Sequence, residues 1–254
     1  MGRIIAIANQ KGGVGKTTTN INLAACLAQL GKKVLTVDFD PQGNTSSGLG
    51  VDKMAAENTI YNVLLGNCHL HQAIVKGCVE NLSIVPANIE LSGAEIELIN
   101  IDNREYLLKN ILSDVKFLYD YIIIDCPPSL SLLTINALTA ADSVLVPIQC
   151  EYYALEGLTQ LMYTIELVQK KLNPRLAIEG IVFTMFDART NLSMQVIEEV
   201  KKHLGKDTYR SVIPRNVRLS EAPSHGLPIT LYDEKSKGAE GYIMLAKEVI
   251  AKHT

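Results

Sequence analysis

Short apolar runs alternate with stretches whose apolar residues recur at helical spacing, and the alternation continues almost to the end of the chain. Ile4-Ile5-Ala6-Ile7-Ala8 reads as a first strand, and Asn20-Ile21-Asn22-Leu23-Ala24-Ala25-Cys26-Leu27-Ala28 as the helix after it. Gly31 stands where a helix C-cap belongs, and Lys33-Val34-Leu35-Thr36-Val37-Asp38 reads as the next strand. Leu82-Ser83-Ile84-Val85 is another, ended by Pro86. Tyr121-Ile122-Ile123-Ile124-Asp125 is the most apolar, as a central strand buried on both faces should be. Ser143–Ile148 and Ile178–Phe183 continue the series, and Ser211-Val212-Ile213 is a shorter last member. Helices are expected between them near residues 103–118, 131–140, 155–172, 192–204 and 238–252. Residues 40–60, with Pro41, Gly43, Asn44, Gly48 and Gly50, are turn-rich and lack a strong period. Strands alternating with helices are the signature of stacked βαβ units. The pattern predicts one α/β domain over residues 1–254, with a mostly parallel central sheet flanked by helices on both faces.

What joins the first strand to the first helix gives that domain a chemistry. Lys11-Gly12-Gly13-Val14-Gly15-Lys16-Thr17-Thr18 places a glycine-rich turn between strand and helix, the context a phosphate-binding loop requires. Gly12, Gly13 and Gly15 let backbone N–H groups, with those of Val14 and Thr18, converge on one anion, and the helix N-terminus adds its partial positive charge. Lys16 would reach the β- and γ-phosphates of ATP, and the Thr17 hydroxyl would ligate Mg²⁺. An ordinary glycine-rich turn is the alternative, and the Gly-Lys-Thr-Thr ending argues against it. The loop departs from the usual pattern at its start. Gln10 stands where a glycine is usual, and Lys11 adds a second cation that crowds Lys16 unless polyphosphate lies between them.

Two further strands end in carboxylates. Asp38 and Asp40 follow Val37 at the C-terminal end of their strand, the edge where open α/β sheets bind ligands; capping of the following turn is the plainer reading. Asp125 ends the most apolar strand, where a buried charge is costly unless it faces a cation or donors; a Mg²⁺-bound water would satisfy it. Pro127-Pro128 then stops the strand and stiffens the next loop.

Composition narrows the class. The chain has 254 residues, is 47% hydrophobic and 20% charged, and holds no apolar run approaching the roughly 20 residues that span a bilayer. It enters its first strand directly, so no signal peptide is expected and the location is expected to be cytoplasmic. Cys26, Cys68, Cys78, Cys126 and Cys150 are scattered, with no C-x-x-C pair, and read as reduced thiols. Net charge is −3, but Lys and Arg number ten against 17 Asp and Glu over residues 1–169, and 14 against ten over residues 170–254. A locally basic C-terminal third is compatible with a protein that touches DNA with one face, and equally with a solvated surface.

With these residues in place, the chain resembles the ParA-type partitioning ATPases of the small chromosomal Soj kind, within the wider ParA/MinD group. The deviant loop with Lys11, the sequence Asp38-Phe39-Asp40-Pro41-Gln42-Gly43-Asn44 and the segment Ile213-Pro214-Arg215-Asn216-Val217-Arg218-Leu219-Ser220-Glu221-Ala222-Pro223 carry the resemblance. It implies an ATP-dependent homodimer in which Lys11 touches the nucleotide of the other subunit. It further implies that Asp40 positions the attacking water, Asp38 supports the Mg²⁺ shell, and Pro214 and Asn216 border the adenine. By the same resemblance Arg189 and Arg218 lie on a surface for non-sequence-specific DNA binding, with Lys201, Lys202, Lys237 and Lys247 as companions. Cys150-Glu151-Tyr152-Tyr153-Ala154-Leu155-Glu156-Gly157 also matches and is given no catalytic role. A ParB-type partner that stimulates hydrolysis, nucleoid association and a role in DNA segregation complete the expectation. The alternatives are a MinD-like membrane-cycling ATPase, an iron–sulfur ATPase of the nitrogenase iron-protein type, and a ligase related to dethiobiotin synthetase.

Overall fold

A computed structural model describes residues 2–151 and 154–254, and side chains at all of these except 154–156. Eight strands form one sheet: β1 (Arg3–Ile7), β2 (Val34–Asp38), β3 (Val75–Lys76), β4 (Leu82–Val85), β5 (Tyr121–Asp125), β6 (Ser143–Gln149), β7 (Ala177–Phe186) and β8 (Thr208–Pro214). Their spatial order is β3-β4-β2-β5-β1-β6-β7-β8. Every neighbouring pair is parallel except β3 with β4, so the expected mostly parallel sheet is present.

The helices, in chain order, are α1 (Lys16–Gln29), α2 (Asn44–Gly48), α3 (Ile60–Leu64), α4 (Leu70–Ala73), α5 (Leu91–Glu97), α6 (Leu107–Ser113), α7 (Leu132–Ala140), α8 (Ala154–Lys171), α9 (Asn191–Leu204), α10 (Val217–Glu221), α11 (Ile229–Tyr232) and α12 (Lys237–Lys252). Successive side chains of a strand point to opposite faces, and both faces are covered here. Ile4 and Ala6 of β1, with Ala8 just after it, join a core with Leu133, Ala137, Leu161, Ile165 and Val196 of α7, α8 and α9. Ile5 and Ile7 join a second core with Leu23, Leu27, Tyr242 and Leu245 of α1 and α12. The Thr19 and Tyr242 hydroxyls lie 3.2 Å apart where α1 meets α12.

Several boundaries differ from the expected ones. The segment near 103–118 is not one helix: 3₁₀ turns at Arg104–Tyr106 and Lys116–Leu118 flank a short α6. Within the segment the backbone departs from regular helical geometry at Tyr106 (φ −106°, ψ 0°) and Val115 (φ −117°, ψ −8°), which separates the 3₁₀ turns from α6. Residues 40–60 contain α2, one turn too short to show a period, and α3 to α5 and β3 are likewise too short. Gly31 has φ 81°, the left-handed geometry expected of a residue just past a helix end.

Candidate nucleotide-binding site

Strand register brings the distant motifs together. Ile7, the last residue of β1, pairs with Asp125 of β5, and Asp125 pairs on its other side with Asp38 of β2. The phosphate loop, the two acidic strand ends and the turns after them therefore share the C-terminal edge of the sheet. Gly13 and Gly15 have φ of 76° and 87°, so an L side chain at either would be strained. The Thr184 hydroxyl of β7 donates to the Val14 carbonyl at 2.8 Å, pinning the loop from the side. Asn9 braces its start, donating from Nδ2 to the Pro147 carbonyl at 2.8 Å and accepting from the Lys11 N–H at 3.0 Å.

Lys16 is 6% exposed, and its ammonium donates to the Lys11 carbonyl across the loop at 3.1 Å. Burial lowers its pKa from the ordinary value, and the Asp125 and Asp40 carboxylates offset that only in part. Lys11 does not crowd it: Lys11 Nζ lies 3.3 Å from Glu151 Oε2, in a half-exposed ion pair. The neighbouring Tyr152 and Tyr153 lie outside the described residues.

The acidic residues are tied differently. Asp38 is fully buried and accepts from the Ser46 N–H at 2.7 Å and the Ser46 hydroxyl at 2.6 Å, both through Oδ2. Asp125, also fully buried, accepts from the Thr45 hydroxyl at 2.7 Å through Oδ2, while its Oδ1 has no hydrogen-bond partner among the described residues. Burial raises both pKa values, and their proximity raises that of Asp38 further; the hydroxyls of Thr45 and Thr17 favour charge on Asp125. Asp40, 8% exposed, accepts from the Gln42 N–H at 3.0 Å and heads the turn into α2.

This donor and acceptor set suits Mg²⁺ held through oxygen ligands, because a hard cation or its bound water would satisfy the orphaned Asp125 oxygen beside the Thr17 hydroxyl. Thr45 and Ser46 were not among the residues singled out from the sequence. The hydroxyl run Thr45-Ser46-Ser47 directly after the acidic motif was the available signal. Pro214 and Asn216 lie at the same edge, Pro214 in register with Phe186, and Asn216 capping α10 by accepting from the Arg218 N–H at 2.8 Å.

The basic residues fall into two groups. Arg189, in the turn after β7, Arg218 on α10 and Lys237 at the start of α12 lie toward the C-terminal edge. Lys201 and Lys202, at the end of α9, and Lys247, in the second half of α12, lie toward the opposite edge. Arg189 is 87% exposed and bidentate to Asp187 at 2.9 and 2.7 Å. Arg218 pairs with Glu221 at 2.9 Å, and Lys202 with Glu199 at 2.7 Å.

Fold and site together define a P-loop ATPase with a deviant phosphate loop. The AAA_31 family, described as an AAA domain, matches residues 2–178. The sporulation initiation inhibitor protein Soj of Bacillus subtilis is 64% identical over 251 residues, 99% of each chain. The chromosome partitioning protein ParA of Myxococcus xanthus is 56% identical over 254 residues, 100% of this chain and 90% of that one. Among solved structures, cobyrinic acid a,c-diamide synthase from Mycobacterium smegmatis with bound ADP and magnesium superposes with a TM-score of 0.87 at 39% identity, covering 100% of this chain and 96% of that one. The chain belongs to the Soj/ParA family of chromosome-partitioning ATPases.

Proposed function

We propose that this protein is a Mg²⁺-dependent ATP switch that pairs with a second copy around nucleotide, holds non-specific double-stranded DNA in that state, and takes part in DNA segregation. The observation that carries this reading is the convergence of the phosphate loop, Asp38, Asp40 and Asp125 on one strand-end edge through the Ile7–Asp125–Asp38 register. The whole domain, residues 1–254, is the unit that switches. Backbone N–H groups of Gly12 to Thr18 and the Lys16 ammonium hold the phosphates, and Pro214 and Asn216 border the base. Mg²⁺, when bound, neutralises phosphate charge; Thr17 and Asp125, with Asp38 behind them, hold it. Asp40 orients the attacking water. Lys11 leaves Glu151 and neutralises charge on the partner copy's nucleotide.

Basal hydrolysis is slow, because nothing in one copy alone supplies Lys11 from the other side, and a ParB-type protein accelerates it. Association with the nucleoid follows from DNA retention. Doubling a basic face by dimerisation raises DNA retention through avidity. The MinD-like alternative is disfavoured by α12, whose apolar residues Tyr242, Leu245, Ala246 and Val249 are buried against the domain.

The test is sedimentation of Asp40→Ala with ATP, with and without DNA. The variant should stay dimeric and DNA-bound long after wild-type protein has turned over its ATP. Turnover at the wild-type rate would remove Asp40 from its role, and a monomer saturated with Mg·ATP would overturn the switch.

A further inference from the structure

At the edge of the sheet opposite the nucleotide site lies a cleft of about 840 Å³, framed by the starts of β1, β5, β6 and β7 and by the end of α12. Helix C-termini arrive at this edge, and a basic residue shortly after α1 (Lys32), α6 (Lys116) and α8 (Arg175) offsets their carbonyl ends. That accounts for single cations but not for how the charges are arranged. The acidic groups are turned to structural work. Asp142 accepts the Ile4 N–H at 2.8 Å and pairs with Lys116 at 2.7 Å. Asp120 accepts the Lys33 N–H at 2.8 Å, and the buried Glu179 takes Arg3 at 3.2 Å. Lys32, Arg175 and Lys252 also line the cleft and have no carboxylate partner among the described residues; Lys252 donates to the Glu179 carbonyl. Among the described residues, Asp120 is the one lining acidic side chain not paired with a cation, so a surplus of positive charge remains.

A second observation points the same way. Tyr121 is 5% exposed, lines the cleft, and its hydroxyl has no hydrogen-bond partner among the described residues. That hydroxyl is reachable from the cleft and free to donate, and an oxyanion there would accept from it. Lys116 and His253, each paired with a carboxylate, are recessed with side-chain exposures of 19% and 13%, while Lys32 is half-buried and Arg175 and Lys252 stand exposed at the rim. A compact anion can enter the concavity and be met by cations from several sides.

We propose that this cleft is a second anion site, separate from the nucleotide site, that binds a small phosphate-bearing anion through Lys32, Arg175, Lys252 and the Tyr121 hydroxyl. The inference stands independently of the switch reading, since none of these residues belongs to the loop or its acidic partners.

The test is titration calorimetry with inorganic pyrophosphate on full-length protein already saturated with Mg·ADP, so that the phosphate loop is filled. One pyrophosphate should bind per chain. The Lys32→Glu, Arg175→Glu double variant should weaken it by about tenfold or more, the loss expected for charge-assisted hydrogen bonds. Tyr121→Phe, which keeps the ring packed, should weaken it severalfold with an unchanged melting temperature. Absence of a second binding event, or binding indifferent to both variants, would overturn the proposal. DNA retention should survive in the double variant. Its loss there, with no pyrophosphate bound by the wild type, would make the cleft a nucleic-acid contact and overturn the small-anion site.

Discussion

Lys16 is held inside its loop by burial, and its ammonium already donates to a loop carbonyl. Lys16→Ala removes a charge-assisted donor to phosphate and should weaken ATP binding on the order of 100-fold; a fluorescent ATP analogue titration reads this directly. A second residue-scale prediction concerns Glu179, which is buried far from the loop and accepts from the Tyr209 hydroxyl at 2.9 Å, with Arg3 beside it. Burial raises its pKa, but the Ser143 and Tyr209 hydroxyls and the neighbouring positive charge outweigh that, and the net shift is below the ordinary 4.5. A depressed folded-state pKa means stabilisation present above the unfolded value and lost as pH falls through the folded one. Glu179→Gln should therefore cost about 2 kcal/mol near neutral pH, with the gap in melting temperature closing below pH 4.5. Thermal melts across that range check it. Neither Glu179 nor its partners were legible in the sequence: Arg3, Ser143, Tyr209 and Glu179 come from four strands that share no motif.

The turn after β2 shows at the level of elements how the acidic site is held. Gly43 has φ 63°, and a Cβ there would stand 2.5 Å from the Ala87 carbonyl oxygen. Left-handed geometry alone costs a side chain about 1–2 kcal/mol, and the close approach adds to it. Gly43→Ala should lower the melting temperature and displace α2, whose Thr45 and Ser46 hold Asp125 and Asp38. ATPase activity should fall with ATP affinity largely kept, since the phosphate loop is untouched; equal loss of both would contradict that division. The long helices α8, α9 and α12 and the central strands were readable because period and length gave a strong signal. The helix expected over 103–118 was not, because the backbone breaks at Tyr106 and Val115 impose local geometry that apolar spacing does not report.

For the molecule as a whole, the opposite ends of the sheet separate the basic residues that composition grouped in one C-terminal third. If DNA meets the edge that also carries the nucleotide, Arg189→Glu should abolish DNA retention and leave basal hydrolysis intact. Lys201→Glu with Lys202→Glu should change retention far less. Filter binding over a salt series discriminates them, since removing one cation from a DNA phosphate reduces the salt slope by about one. An equal loss from the α9 pair would place the DNA on the other side.

The sequence by itself determined the class of chemistry and the sheet that supports it. A glycine loop between strand and helix, carboxylates at strand ends and both-face apolar strands are local patterns, and local sterics and burial enforce them. Tertiary structure alone decided that Ile7, Asp125 and Asp38 sit side by side, that Ser46 and Thr45 saturate one oxygen of each carboxylate, and that Lys11 rests on Glu151. Those depend on strand order and register, set by how the two cores pack against the whole sheet and not by any stretch of neighbouring residues.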